Sequence, residues 1–216
     1  MQRGELQTWL WDALFPQFCL VCEQEGALLC SACEAGIELS GLFLTVGVNG
    51  LQTVRSMGKY EPEKGLGKLI EQLKYQYATA AVGAVQRLVY RWFKTQTALT
   101  RPDMVIPIPL HRRRQAERGF NQATIIAFAV AAALRVPMID NALARSRATK
   151  QQAKLNRTER LKNMTDAFVV KKPTQVTGRQ IWLIDDVYTT GSTMQAAAQA
   201  LCAAGATVHG FTLVRG

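Results

Sequence analysis

No long hydrophobic run is present in the chain. The longest strongly apolar stretch, Gly119–Leu134, is 16 residues long and includes Asn121 and Gln122, short of the roughly 20 apolar residues that a membrane-spanning helix needs. The beginning of the sequence lacks the basic patch and apolar stretch of a secretory leader, since Glu5 and Asp12 interrupt it, and the expected compartment is the cytoplasm. No internal repeat is visible, which argues against a repeat architecture. Carboxylates are scarce against cations, with 16 Asp and Glu facing 26 Lys and Arg for a net charge of +10.

What is there suffices for a sizeable folded unit. A chain of 216 residues with 48% hydrophobic content allows one substantial α/β domain plus a small module. The positive excess is concentrated. Residues 111–162 hold 12 basic and 3 acidic side chains, among them His111-Arg112-Arg113-Arg114, Arg118, Arg145, Arg147, Lys150, Lys154, Arg157, Arg160 and Lys162. Such a local field attracts polyanions, either a pyrophosphate or the backbone of a nucleic acid. Aromatic residues are few there, only Phe120, Phe128 and Phe168 in or near the window, so base stacking is weakly supported.

The most informative stretch is Ile181-Trp-Leu-Ile-Asp185-Asp186-Val-Tyr-Thr189-Thr190-Gly191-Ser192-Thr193. An apolar run ending in polar turn residues fits a strand covered on both faces. The following Met-Gln-Ala-Ala-Ala-Gln-Ala-Leu run reads as a helix. The turn thus lies where free backbone N–H groups and the positive end of a helix converge, and hydroxyls and Gly191 complete an anion cradle. A phosphate is the expected guest. No Gly-Lys-Ser/Thr follows, which excludes a Walker loop. Asp185 and Asp186 stand at the carboxyl end of the strand, where open α/β sheets bind ligands. Carboxylates beside a phosphate cradle suit sugar hydroxyls or a hydrated Mg²⁺.

Two further knuckles, Cys19-Leu-Val-Cys22 and Cys30-Ser-Ala-Cys33, are separated by seven residues. Four thiolates at this spacing suit one tetrahedral ion, and structural Zn²⁺ is the favoured reading. Disulfides are disfavoured in a cytosolic protein, and iron–sulfur clusters use other usual spacings. No fifth ligand or nearby histidine suggests an open coordination position. Cys202 reads as a small core residue, and His209 as a structural histidine in a strand.

A coarse pass gives an N-terminal module over residues 1–45, with an apolar Trp9–Phe18 stretch, the knuckles and a short linker. A second domain covers 46–216. Expected there are a strand at Thr53–Tyr60, helices at Lys64–Tyr75 and Ala80–Phe93, and a strand at Met104–Pro109. Next come a polar loop at 111–120, a helix at Asn121–Leu134, a short strand at Ala142–Arg145 and a basic loop at 146–164. An edge strand at Phe168–Val170 and a turn at Pro173–Gly178 precede strand 181–185, helix 193–203 with Gly205 as its C-cap, and strand Thr207–Val214. Alternation of strands and helices implies a parallel, helix-flanked sheet.

Residues 181–193 resemble the phosphoribosyl pyrophosphate (PRPP) motif of type I phosphoribosyltransferases. Met104-Val-Ile-Pro-Ile-Pro-Leu-His-Arg-Arg-Arg, Glu117-Arg118-Gly119-Phe120-Asn121-Gln122 and Gln152-Ala-Lys-Leu-Asn-Arg157-Thr-Glu-Arg160-Leu-Lys-Asn163, with the knuckle pair upstream, resemble the ComF/GntX family. This resemblance implies a type I phosphoribosyltransferase-like parallel sheet flanked by helices, joined to a small N-terminal zinc-binding module. It implies that Asp185 and Asp186 bind the ribose hydroxyls and order Mg²⁺, and that Thr189, Thr190, Gly191, Ser192 and Thr193 hold the 5′-phosphate. It makes the loop carrying Arg112, Arg113, Arg114 and Arg118 the place of pyrophosphate or nucleic acid. The segment 146–163 becomes a hood contacting PRPP through Arg147, Gln152 and Arg157, and Lys74-Tyr75 also fits the pattern. Cys19, Cys22, Cys30 and Cys33 become the zinc ligands. The sequence departs from the enzymes in having no obvious aromatic platform for a purine or orotate.

The implied role is support of DNA uptake in natural transformation, with PRPP and single-stranded DNA as ligands and uptake-machinery partners such as a helicase, or an ill-defined metabolic role. The alternative is an active Mg²⁺-dependent phosphoribosyltransferase with a small-molecule base acceptor. In that reaction pyrophosphate leaves the ribose C1 through a centre with oxocarbenium character. Cations on the leaving group and a closed site would carry the catalysis, with Asp186 nearest the sugar.

Overall fold

The computed structural model describes residues 16–74, 78–97, 99–145 and 167–216. Residues 16–40 form a compact cysteine module. Its only helix among the described residues is α1, Ser31–Ala35, which Cys30 caps by accepting a hydrogen bond from the Cys33 N–H. The chain then enters the main sheet at once. Strands β1 (Leu42–Val48) and β2 (Leu51–Lys59) form an antiparallel hairpin whose turn residues, Asn49 and Gly50, both have positive φ, at 51° and 79°. An Asn-Gly turn of this kind matches the twist of the strands it joins. The linker expected before residue 46 is therefore strand instead. Its alternation of half-buried and exposed side chains runs through a polar Thr and a Gly, which weakens the signal in the sequence.

Helices α2 (Gly65–Lys74) and α3 (Ala78–Thr95) follow, then β3 (Met104–Pro107), α4 (Arg112–Arg118), α5 (Gln122–Leu134), β4 (Leu143–Arg145), β5 (Phe168–Val170), α6 (Pro173–Val176), β6 (Gln180–Tyr188), α7 (Ser192–Ala203) and β7 (Thr207–Arg215). The main sheet has the order β1-β2-β7-β6-β3, and every pairing after the first hairpin is parallel. Strands β4 and β5 form a separate antiparallel pair.

Alternation along β6 sends Trp182 and Ile184 to one face and Ile181 and Leu183 to the other, and all four are buried. Trp182 and Ile184 join α2, α3 and α5 in one core cluster. Ile181 and Leu183 join α7 and the β4–β5 pair in a second. The first cluster centres on Trp92, Phe93, Trp182 and Phe211, whose ring centroids lie 5.0–5.9 Å apart. The result is a mixed α/β fold with a mostly parallel sheet covered on both faces, as expected from the sequence. Among the described residues, no helix is long and apolar enough to cross a membrane.

Three further elements differ from expectation. The polar loop of 111–120 is largely helical. His111 Nδ1 accepts the Arg113 N–H at 3.2 Å, Arg113 and Glu117 pair at 2.8 Å, and Gly119 closes α4 at φ +79°. A cap, an i,i+4 ion pair and a left-handed glycine outweigh the repulsion among its arginines. Residues 173–176 of the expected turn form the single-turn α6, with Pro173 at its start. Strand β6 runs past residue 185 to Tyr188, because β7 is equally long and pairs with it as far as Tyr188↔Arg215.

Candidate functional site

Strand β3 ends at Pro107, paired with Ile184, and its last link to β6 is the Ile108 N–H donating to the Ile184 carbonyl at 2.8 Å. Beyond that point β6 continues with only β7 beside it. The acid pair therefore lies on an overhang at the carboxyl end of the sheet. With β3 gone, the Asp186 N–H donates to Asp185 Oδ1 at 3.0 Å, and the Val187 N–H donates to Asp186 Oδ1 at 2.8 Å.

Burial first, and then the neighbouring Asp186 carboxylate, push the Asp185 carboxyl up to about 8. The Asp186 N–H and the charge of Arg145 pull the other way. At neutral pH the pair thus holds a proton that a cation could replace. Two carboxylates on adjacent residues are hard oxygen donors of the kind Mg²⁺ takes, usually with water and ligand phosphates completing its shell. The donor set fits that ion.

Three residues past Asp186 the backbone turns into α7. Gly191 is the N-cap with φ +76°, and no side chain caps the helix. The Gly191 carbonyl accepts the first helical bond from the Gln195 N–H at 2.8 Å. The Thr190 hydroxyl donates to Ser192 Oγ at 3.2 Å and accepts the Ser192 N–H at 3.5 Å. Thr189 and Thr190 are exposed, while Ser192 and Thr193 are half-buried. Uncapped first-turn N–H groups beside exposed hydroxyls make an anion-accepting turn on a helix of twelve residues.

A second charged group gathers beside Asp186. Tyr60, just after β2, donates its hydroxyl to Glu71 Oε1 at 2.9 Å, and Lys74 Nζ donates to the same oxygen at 2.5 Å. The bond to Lys74 comes first in holding the Glu71 carboxyl below the usual carboxylate range, and Tyr60 and the charge of Arg118 add to it. The bond to Glu71 raises the Tyr60 hydroxyl, with burial and the charges of Glu71 and Asp186 acting in the same direction. Arg145 enters from the β4 end, with its guanidinium 5.4 Å from the Phe168 ring centroid. Its pKa is lowered by burial and by Arg114, and raised by Asp185.

Lys74, Arg114, Arg118 and the acid pair thus share one electrostatic neighbourhood. Tyr60, Glu71 and the position of Arg145 were not singled out from the sequence. The Glu71–Lys74 spacing of three on a helix was the available signal. Arg113 is exposed on α4 and paired with Glu117, Arg114 is exposed, and Arg112 opens the helix. Arg147, Gln152, Arg157 and the hood segment 146–163 lie outside the described residues, as do Tyr75 and the Trp9–Phe15 part of the apolar stretch.

The four cysteines of the module converge as their spacing predicts. Their sulfurs all lie within 4.8 Å of one another, and Cys22 Sγ is 3.7 Å from Cys30 Sγ. Thiolates at about 2.3 Å around a tetrahedral zinc stand about 3.8 Å apart, so the set fits one such metal ion. None of the five cysteines is in a disulfide. Burial acts to raise the Cys19 thiol, but N–H donors from Cys22, Cys30 and Val21 outweigh it and bring the pKa down to about 6. Hydrogen bonds with Cys22 and Cys30 push Cys33 up to about 12.

The module is tied to α3. Arg87 Nε donates to Glu34 Oε2 at 2.6 Å, and Arg91 donates to the Glu34 carbonyl and, at 2.6 Å, to the Ile37 carbonyl. Cys19 and Leu29 belong to the same buried cluster as Leu66, Ile70 and Trp92. Cys202 is half-buried, with its thiol donating to the Gly50 carbonyl at 3.1 Å. His209 Nδ1 bonds the Thr53 hydroxyl at 2.8 Å on neighbouring strands of the sheet, a structural contact.

No family model matches the chain. Individual relatives do. The DNA utilization protein YhgH of Shigella flexneri is 35% identical over 168 residues, which cover 76% of this chain and 72% of that protein. Competence protein F of Haemophilus influenzae is 33% identical over 60% of this chain and 58% of its own length. Competence protein ComFC of Bacillus subtilis is 38% identical over 52% of this chain and 44% of its own length. The chain belongs to the ComF/GntX family.

Among solved structures, this ComF-family chain is similar to a glutamine PRPP amidotransferase from B. subtilis, at 19% identity and a TM-score of 0.43 over 61% of this chain and 26% of that one. It is also similar to the adenine phosphoribosyltransferase of Leishmania tarentolae, at 13% identity and a TM-score of 0.41 over 81% of this chain and 94% of that one.

Proposed function

We propose that this ComF-family chain is a PRPP-binding protein of phosphoribosyltransferase-like fold that supports DNA uptake in natural transformation by holding single-stranded DNA. One observation carries the PRPP reading. An acid pair on the overhang of β6 leads within five residues into an uncapped, hydroxyl-bearing helix start, which is the donor set a ribose phosphate with Mg²⁺ requires. In this reading Asp185 and Asp186 hold the ribose hydroxyls and the hydrated Mg²⁺. Thr189, Thr190, Gly191, Ser192 and Thr193 hold the 5′-phosphate. Lys74, with Arg147 and Arg157 of the hood segment, takes the remaining charge.

The DNA part of the proposal draws on the concentrated positive charge around α4 and on the names of the relatives, a DNA utilization protein and two competence proteins. Arg112, Arg113, Arg114 and Arg118 are its phosphate contacts. Zn²⁺ at Cys19, Cys22, Cys30 and Cys33 is structural, since four sulfurs leave no open position for a substrate. We place the protein in the cytoplasm, with uptake-machinery proteins such as a helicase as partners. The division into an N-terminal cysteine module and a phosphoribosyltransferase-like domain is part of the same proposal, with the boundary moved from residue 45 to just before β1, which begins at Leu42.

A second reading is an active Mg²⁺-dependent phosphoribosyltransferase using the same acid pair and anion-accepting turn. There the C1–O bond of PRPP would break with its electron pair leaving on pyrophosphate. The acceptor lone pair would form the new bond at C1, with Asp186 nearest the sugar, and the acceptor's proton would pass to water.

Calorimetric titration of PRPP in Mg²⁺, followed by a pyrophosphate-release assay with bases and DNA, tests both readings. Binding that disappears in Asp185→Asn/Asp186→Asn is expected. Absence of binding to the unaltered protein would overturn the PRPP assignment, and release of pyrophosphate would select the enzyme.

A further inference from the structure

The Glu71 carboxylate is held from two elements at once. Glu71 Oε1 accepts from Lys74 Nζ at 2.5 Å and from the Tyr60 hydroxyl at 2.9 Å. Tyr60 is anchored to the sheet, its N–H donating to the Arg215 carbonyl at 2.7 Å. An ordinary Glu–Lys pair three apart on a helix surface is loose and worth little. Here a side chain from the end of the sheet fixes the acceptor. The Lys74 side chain is only 26% exposed and that of Glu71 40%. Arg118, from the far end of α4, acts on the same Glu71 carboxylate, and Asp186 acts on Tyr60. Arg215 in turn pairs with Tyr188 of β6, so the Tyr60–Glu71–Lys74 group stands at the same end of the sheet as the acid pair.

We infer that Tyr60 and Glu71 are positioning residues that hold Lys74 as part of the pyrophosphate-binding side of the site; this rests on the PRPP reading above. Glu71 touches no ligand. Its carboxylate cancels part of the charge it organises, but a fixed ammonium meets an anion without first losing its conformational freedom.

The sign of a charge deletion tests this. By Coulomb's law alone, removing a carboxylate beside an anion site tightens anion binding. By positioning, removing the acceptor weakens it. Titrations of Mg²⁺-pyrophosphate, of ribose 5-phosphate and of Mg²⁺-PRPP are compared in the full chain. Glu71→Leu and Tyr60→Phe are each expected to weaken Mg²⁺-pyrophosphate about tenfold and to leave ribose 5-phosphate unchanged. Glu71→Gln, whose amide oxygen still accepts from both donors, is expected to bind at least as tightly as the parent chain. Unchanged or tighter pyrophosphate binding in Glu71→Leu, or an equal loss of ribose 5-phosphate in Tyr60→Phe, overturns the inference while leaving the PRPP reading intact. Failure of the unaltered chain to bind Mg²⁺-PRPP overturns both.

Discussion

A Cβ added to Gly191 would lie 2.3 Å from the Tyr188 hydroxyl oxygen and 2.5 Å from its ring carbon Cζ. Tyr188 is the last residue of β6 and is 6% exposed. The buried ring is therefore the floor on which the anion-accepting turn rests, and glycine is the residue that lets the turn settle on it. Gly191→Ala combines a positive φ with this clash. It is expected to cost about 2–3 kcal/mol in denaturant unfolding and to abolish PRPP binding. Tyr188→Phe should not rescue it, because the ring carbon remains. A Gly191→Ala protein of parental stability would show that the ring moves aside freely.

The raised Asp185 carboxyl makes a prediction about pH. Its charged form is disfavoured in the folded chain, so the folded state binds a proton that the unfolded state has lost above its ordinary value of 3.8. Stability therefore falls as pH rises from about 4 toward 8 and is level beyond. Asp185→Asn removes that penalty and can still accept the Asp186 N–H. The variant is expected to be more stable than the parent by about 2 kcal/mol at pH 8.5, after discounting for solvent screening, and by little at pH 4.5. Urea unfolding at the two pH values checks it. An advantage that shrinks with rising pH would contradict the assignment.

If the four cysteines hold zinc as proposed, its loss should be felt beyond the knuckles. Cys19 and Leu29 are packed into the cluster that holds Leu66, Ile70 and Trp92, and Arg87 and Arg91 of α3 grip the same module. Chelation is expected to release one equivalent of zinc and to lower the melting temperature. Amide exchange should speed up over residues 19–36 first and over the start of α2 second. The acid pair lies at the carboxyl end of the sheet on β6, and PRPP affinity is expected to fall less than about tenfold. Metal analysis with exchange mass spectrometry reads both. Unchanged exchange over 19–36 would mean that the module holds its shape without an ion.

Much of this was legible in the sequence, for identifiable reasons. The four cysteines converge because short Cys-x2-Cys spacing leaves the backbone few other choices. The parallel sheet followed from buried apolar runs such as Ile181–Ile184 alternating with helical patterns. Local stretches misled where tertiary partners decide. Strand β6 reaches Tyr188 because of β7, and α4 forms in an arginine-rich stretch because Gly119 and His111 cap it. The tie from Tyr60 to Glu71 joins residues 11 apart through a side-chain bond that no periodicity encodes.

The ion pair on α4 separates arginines that the sequence treats alike. Arg113 is paired with Glu117 at 2.8 Å, whereas Arg114 has no ion-pair partner among the described residues and acts on Arg145 near the acid pair. If single-stranded DNA binds this face, a phosphate must compete with Glu117 for Arg113 but meets Arg114 directly. Arg114→Ala is then expected to weaken oligonucleotide binding more than Arg113→Ala does. It should also reduce the slope of log affinity against log salt by about 0.7, the amount due to one phosphate contact on a single strand. Glu117→Gln should strengthen binding by freeing Arg113, with the largest gain at low salt. Fluorescence anisotropy of a labelled oligonucleotide across a salt series measures all three, and equal affinities and slopes in the Arg114→Ala and parent proteins would remove α4 from the DNA-binding face.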